Sequence, residues 1–154
     1  MTSLCCKVLK ALEGKTLVTA ESCTGGGIGA ALTAIPGSSQ VYKGGVICYT
    51  NWVKAHVLGV EEALLETVGA VSAPVAEAMA IGVRDKLCAD IAVSVTGLAG
   101  PGGDDYGNPV GTVFIGYADA HRAVSKSFHC TGDREEVRMQ AAACALNLIL
   151  EYNR

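Results

Sequence analysis

Apolar positions along this chain recur at helical spacing near both ends and gather into short strand-length runs between them. Leu4, Val8, Leu9 and Leu12 fall at helical spacing, so Ser3–Leu12 is expected to be an amphipathic helix. Thr16-Leu17-Val18-Thr19-Ala20 is a short β-prone run, and Gly29–Ile35, rich in Ala and Leu, is expected to be helical. Pro36-Gly37-Ser38-Ser39 breaks the pattern. Gly45-Val46-Ile47-Cys48-Tyr49-Thr50 is almost continuously apolar, which predicts a strand buried on both faces, and Asn51 is expected to cap a short helix running through Lys54, His56 and Leu58.

Ser72 precedes a long helical pattern in which Val75, Met79, Val83 and Leu87 repeat every four residues, with Pro74 tolerated in the first turn. Asp90–Thr96 is expected to be another strand, emptying into the thirteen-residue Gly/Pro/Asp segment Gly97–Pro109. A loop of that length in a small domain is more often functional than idle. Val110–Tyr117 and Ala123–Cys130 flank a polar turn around Asp119 and His121, which predicts an antiparallel hairpin. The last helix is expected from about Arg134 to Tyr152, with Asp133 and Glu136 as a capping box and Val137, Ala141, Cys144, Ala145, Leu148, Ile149 and Tyr152 as its buried stripe. Early strand–helix alternation followed by a late hairpin predicts an α/β fold: three α/β/α layers around a mixed, mostly parallel sheet.

Length narrows the organisation. A chain of 154 residues has room for one domain, 1–154, able to bury roughly 70% of its unfolded surface. Half of the residues are apolar, 18% are charged and the mean hydropathy is +0.34, a composition that excludes disorder. The net charge of −3, without long runs of either sign, argues against a general nucleic-acid or membrane-surface binder and favours a small-molecule partner. No apolar stretch approaches the roughly 18 residues of a membrane span, and the start is too polar and short for a signal peptide, so a cytoplasmic chain is expected. Seven cysteines without any C-x-x-C spacing read as reduced thiols, and the scattered His56, His121 and His129 give no metal-ligand pattern; neither metal nor cofactor is expected.

Chemistry concentrates in Ala20-Glu21-Ser22-Cys23-Thr24-Gly25-Gly26-Gly27, where a strand is expected to become a helix. Such a turn aims free backbone N–H groups and the positive end of the helix dipole at one spot, where an anion or a developing oxyanion is stabilised. Ser22 is therefore a candidate nucleophile, the alternative being a helix-capping serine. Cys23 is its rival, because a thiolate at a helix N-terminus is the stronger nucleophile. Gly25–Ala30 also satisfies the G-x-G-x-x-A pattern of dinucleotide-binding turns, but the extra segment Glu21–Thr24 and the lack of an acid after the next strand weaken that reading.

Six segments together resemble the CinA C-terminal domain family: Ala20–Gly26; Tyr49-Thr50-Asn51 with Lys54; Gly69-Ala70-Val71-Ser72; Thr96–Pro101; Pro109–Val113; and Gly132-Asp133-Arg134. The match runs from about Leu4 to the C-terminus, which makes the chain similar to the stand-alone form of this domain. The characterised enzymes of the family are nicotinamide-nucleotide amidohydrolases. The resemblance thus implies hydrolysis of the amide of nicotinamide mononucleotide (NMN) to nicotinic acid mononucleotide and ammonia, in pyridine-nucleotide recycling, by a homo-oligomer. It also implies a Ser nucleophile with a Lys partner; a binding or interaction protein that keeps the fold without catalysis is the alternative.

Carried onto this sequence, the resemblance gives Ser22, Lys54 and Tyr49 catalytic roles and places Glu21, Thr24, Gly25, Gly26, Asn51, Thr96, Gly97, Arg134 and Arg138 around the substrate. With no histidine in a credible motif, Lys54 is left as the base, or else it is a solvated surface charge. Ser22 and Lys54 would meet if their two strands are parallel neighbours, since both carboxyl ends then open on one crevice. Tyr49 is either a hydrogen-bond donor to the reacting groups or a buried sheet tyrosine. Thr96 and Gly97 offer a hydroxyl and an N–H, or form a plain turn. Arg134 and Arg138, one helical turn apart, suit a phosphate or a carboxylate such as Glu21, or form a solvated face offset by Glu135 and Glu136.

Overall fold

A computed structural model describes residues 1–154, and its secondary structure follows the alternation expected from the sequence. Helix α1 (Thr2–Ala11) leads into β1 (Leu17–Glu21), α2 (Gly27–Thr33), a 3-10 turn at Ser38–Gln40, and β2 (Tyr42–Ile47). Three helices follow: α3 (Asn51–His56), α4 (Glu62–Thr67) and α5 (Ala73–Leu87). Then come β3 (Ile91–Gly97), β4 (Thr112–Ala118), β5 (Ala123–His129) and α6 (Arg134–Tyr152). The short α4 has no counterpart in the sequence reading, because its six residues are fewer than two turns and carry too little periodicity.

The five strands form one mixed sheet in the order β2-β1-β3-β4-β5. Strand β1 pairs parallel with β2 and with β3, while the β3/β4 and β4/β5 pairs are antiparallel, so the pairings divide evenly. On one face α1, α2 and α6 cover a core that includes Val8, Leu12, Ile28, Leu32, Val137 and Ile149. On the other, α5 packs Val75, Met79 and Val83 against Val18 and Ala92, with Leu58 and Leu65 beside them. Alternate residues of β1 and β3 feed the two cores, which is why both strands are buried almost throughout.

Two expectations need correction. Strand β2 is an edge strand whose residues alternate between half-buried and exposed, so its apolar run does not mark burial on both faces. Ile47 and Tyr49 are left 57% exposed each, Tyr49 at the rim of the crevice described below. The cap of α3 is Thr50 rather than Asn51: the Thr50 side chain accepts from the Val53 N–H at 3.4 Å, and Asn51 is the first helical residue. The capping box at the start of α6 is present as expected, with Asp133 accepting from the Glu136 N–H and Glu136 accepting from the Asp133 N–H.

From β1 the chain passes by way of α2 to β2 on one side, and then through α3–α5 to β3 on the other. The order thus reverses at β1. A crevice opens outside the carboxyl end of a strand at such a point, because the connections on its two sides diverge. The residue following β1 is Ser22.

Candidate active site

A cleft of about 280 Å³ lies at this reversal, close to the lower size of small-ligand sites. Its floor is the β1–α2 turn, one wall is the β2–α3 connection, and the opposite walls are the Ala70–Val71 segment and the start of the Gly97–Pro109 loop. The N-terminus of α6 brings Arg134 to the mouth.

Ser22 is 7% exposed at the floor, and Lys54 is 2% exposed beside it. Lys54 Nζ lies 2.9 Å from Ser22 Oγ and 2.9 Å from the Cys48 carbonyl oxygen. Neither neighbour is a carboxylate. Burial therefore lowers the Lys54 pKa, since no acid is in place to hold the proton. Two parallel strands produce this encounter: β1 ends at Glu21 level with Ile47 of β2, and one helical turn later α3 points Lys54 back over the strand ends.

The floor is fixed from below by Glu21. Its buried carboxylate accepts from the Ile28 N–H at 2.8 Å, the Gly29 N–H at 3.0 Å, Thr24 Oγ1 at 2.8 Å and Thr19 Oγ1 at 3.3 Å. Glu21 thus occupies the positive end of α2 that the sequence reading reserved for a ligand anion. Gly25 and Gly26 take φ values of 58° and 99°, a left-handed pair that lets the chain turn from the strand into α2. The Arg138 guanidinium then clamps the turn from α6, donating from Nε to the Cys23 carbonyl at 2.9 Å and from Nη2 to the Thr24 carbonyl at 3.3 Å.

With those carbonyls drawn away, the Cys23 and Thr24 N–H groups remain outside the backbone hydrogen-bond network. Cys23 is buried, and burial pushes its thiol up to about 11, so it stays protonated and packs in the core. This disfavours it as the nucleophile.

Arg134 spans the mouth by donating to the Gly100 carbonyl and, at 3.1 Å, to the Tyr49 hydroxyl. It takes part in none of the ion pairs of the chain, and the cleft lining contains no Asp or Glu. Thr96 Oγ1 donates to the Ala70 carbonyl at 2.8 Å, fixing one wall, and leaves its lone pairs available to a ligand. A Cβ on Gly97 would stand 2.8 Å from Val113 Cγ2, so only glycine fits where β3 meets β4 beneath the cleft.

Compared with known proteins, the sequence matches the family model of the CinA C-terminal domain over residues 1–153. The chain belongs to the CinA C-terminal domain family. It is 49% identical over 138 residues to a CinA-like protein of Synechocystis, and 46% identical over 147 residues to one of Mycobacterium avium. Those alignments cover 88% and 92% of this chain but 33% and 34% of the relatives, so the chain spans about a third of their length. Among solved structures, a CinA superfamily protein from Klebsiella pneumoniae superposes with a TM-score of 0.94 at 36% identity, covering 97% of this chain and 95% of that one. The competence/damage inducible protein CihA from Agrobacterium tumefaciens also gives 0.94, at 37% identity, over 99% and 95% of the two chains.

Within this CinA C-terminal domain, the cleft lining brings together Ser22, Lys54, Tyr49, Asn51, Thr96, Gly97 and Arg134. It leaves out Glu21, Thr24, Gly25, Gly26 and Arg138, which build and brace the turn beneath. Tyr49 is not a buried sheet tyrosine. It is exposed, and its hydroxyl meets Arg134 rather than Ser22 or Lys54. Sequence reasoning had no place for the Cys48 carbonyl that orients Lys54, nor for Ala70 and Val71 as a wall, although Gly69–Ser72 stood out as a motif.

Proposed function

We propose that this chain hydrolyses the carboxamide of NMN to nicotinic acid mononucleotide and ammonia, with Ser22 as nucleophile and Lys54 as its general base. The reading rests on one observation above all: a buried lysine amine without an acidic partner, 2.9 Å from a serine oxygen at the floor of a cleft. A neutral Lys54 takes the Ser22 proton as Oγ bonds to the amide carbon, and the carbonyl oxygen becomes an oxyanion. The Cys23 N–H, next to Ser22 in the chain, on the cleft lining and without a backbone acceptor, is the candidate donor for that charge. Lys54 then hands its proton to the amide nitrogen, the C–N bond breaks and ammonia leaves. Water, deprotonated by Lys54, attacks the Ser22 ester; Oγ departs and recovers its proton.

At the mouth, Arg134 has no carboxylate partner and suits the phosphate of the nucleotide. Arg138 is committed to the turn, which makes Arg134 the better candidate of the two. Ammonia release from NMN by the wild-type chain and by Ser22→Ala tests the reading. Turnover is expected to fall by about 10⁴-fold or more in the variant. Equal rates would remove Ser22 from the mechanism, and an inactive wild type would leave a binding role.

A further inference from the structure

The charges around Lys54 are unusual for a site that receives a cationic ring. Cys23 faces it from the β1–α2 turn, Cys48 and Tyr49 from the β2–α3 connection, and Arg134 stands at the mouth on α6. The two loop walls bring glycine, apolar side chains and Thr96, and nothing charged. The nearby acid, Glu21, turns its carboxylate away to the N-terminus of α2, where four donors saturate it. Cys23 and Cys48 are both raised to about 11 by burial and stay neutral thiols. A pyridinium ring entering this cleft thus finds no carboxylate to neutralise it, and its field falls on Lys54, the buried cation of the site.

We propose that the substrate itself discharges Lys54: the fixed positive charge of its ring drives the proton off the buried amine. The inference rests on the amidase reading and deepens it. Because Lys54 Nζ is 2.9 Å from Ser22 Oγ, a 3-carboxamide attacked by that oxygen brings its ring nitrogen within a few bond lengths of the Lys54 amine. At a separation of roughly 6 Å and an effective dielectric near 20, its charge lowers the lysine pKa by up to about two units. The proton leaves Lys54 for solvent when the substrate binds. The same field makes the protonated amine a stronger acid once it has taken the Ser22 proton, which speeds transfer to the departing nitrogen. A neutral-ring amide in the same pose receives neither effect.

The pH dependence of the wild-type enzyme separates these cases, because kcat/KM reports the base in the free enzyme and kcat reports it in the complex. With NMN, the acid limb of kcat is expected about one to two pH units below that of kcat/KM. With benzamide riboside 5′-phosphate, an isosteric nucleotide whose ring is uncharged, the two limbs are expected to coincide. The lower electrophilicity of the benzamide carbonyl changes the height of its profile and not the position of the limb. Coincident limbs for both substrates, or the same gap for both, would overturn the inference while leaving the amidase intact. Absence of ammonia from NMN at every pH would overturn the amidase reading, and this inference with it.

Discussion

At the floor of the cleft, Ser22 and Lys54 are 7% and 2% exposed, and the turn that carries Ser22 is held by Glu21 from one side and Arg138 from the other. At the mouth, Tyr49 remains 57% exposed, and Arg134 is tied only to a tyrosine hydroxyl and a backbone carbonyl. Buried hydrogen bonds hold the floor in one geometry before any ligand arrives, as bond-making requires. The solvent-facing contacts of the mouth can be exchanged for those of a ligand at little cost. On the proposed mechanism, this difference ties the rate to the floor and the affinity to the mouth, and it can be broken by substitution.

After removal of the Ser22 nucleophile itself, the largest effect is expected for Lys54→Met, which keeps the stem and removes the amine. Its kcat for NMN should fall by about 10³-fold or more while the chain gains about 1 kcal/mol of stability near neutral pH, read as a higher denaturant midpoint. The stability gain carries its own sign test. Burial lowers the Lys54 pKa, so between the folded value and the unfolded value near 10.4 the unfolded chain binds more protons, and wild-type stability rises with pH. The advantage of the variant should therefore shrink as pH rises through that window. An advantage that grows instead would show that Lys54 is held as a cation.

Arg134→Ala comes next. KM for NMN should rise by about 30-fold, the worth of a charge-assisted contact, with kcat almost unchanged and with nicotinamide riboside, which lacks the phosphate, unaffected. An equal loss on the riboside would move Arg134 from the phosphate to the wall of the cleft. The smallest effect is expected for Arg138→Ala, which frees the Cys23 and Thr24 carbonyls. It should lower kcat by a few-fold and stability by about 1–2 kcal/mol while sparing KM. A rise in KM alone would return Arg138 to the substrate and collapse the distinction between floor and mouth.

How far the sequence anticipates this site depends on the distance over which each feature is encoded. The capping box of α6 and the repeat of Val75, Met79 and Val83 in α5 are written in neighbouring residues, and both appear as read. Membership of one crevice by Ser22 and Lys54 needed only that two strands be parallel neighbours, which they are. The position of β2 at the edge was not legible, because strand order depends on all the connections together and an apolar run looks the same at an edge as in the centre. The bracing role of Arg138 is not legible in the sequence, because its partners, Cys23 and Thr24, lie 115 and 114 residues away, beyond any local pattern. Glu21 is ambiguous in the sequence for a subtler reason. An acid before a glycine-rich turn serves a ligand or the helix equally well until the carboxylate direction is known, and here it serves the helix.

The reversal of strand order at β1 has a consequence for the descent of this domain. The crevice above Ser22 arises from the path of the chain, with α2 leaving β1 for one neighbour and α3–α5 returning to the other. No wall residue is needed to open it. The part of the long loop at 102–108, outside the segments that mark the family, can therefore accumulate replacements, insertions and new side chains while the depression and its serine–lysine pair persist. A lineage built on such a frame can change the molecules it accepts by small steps along its loops, without passing through an ancestor that lacks a site.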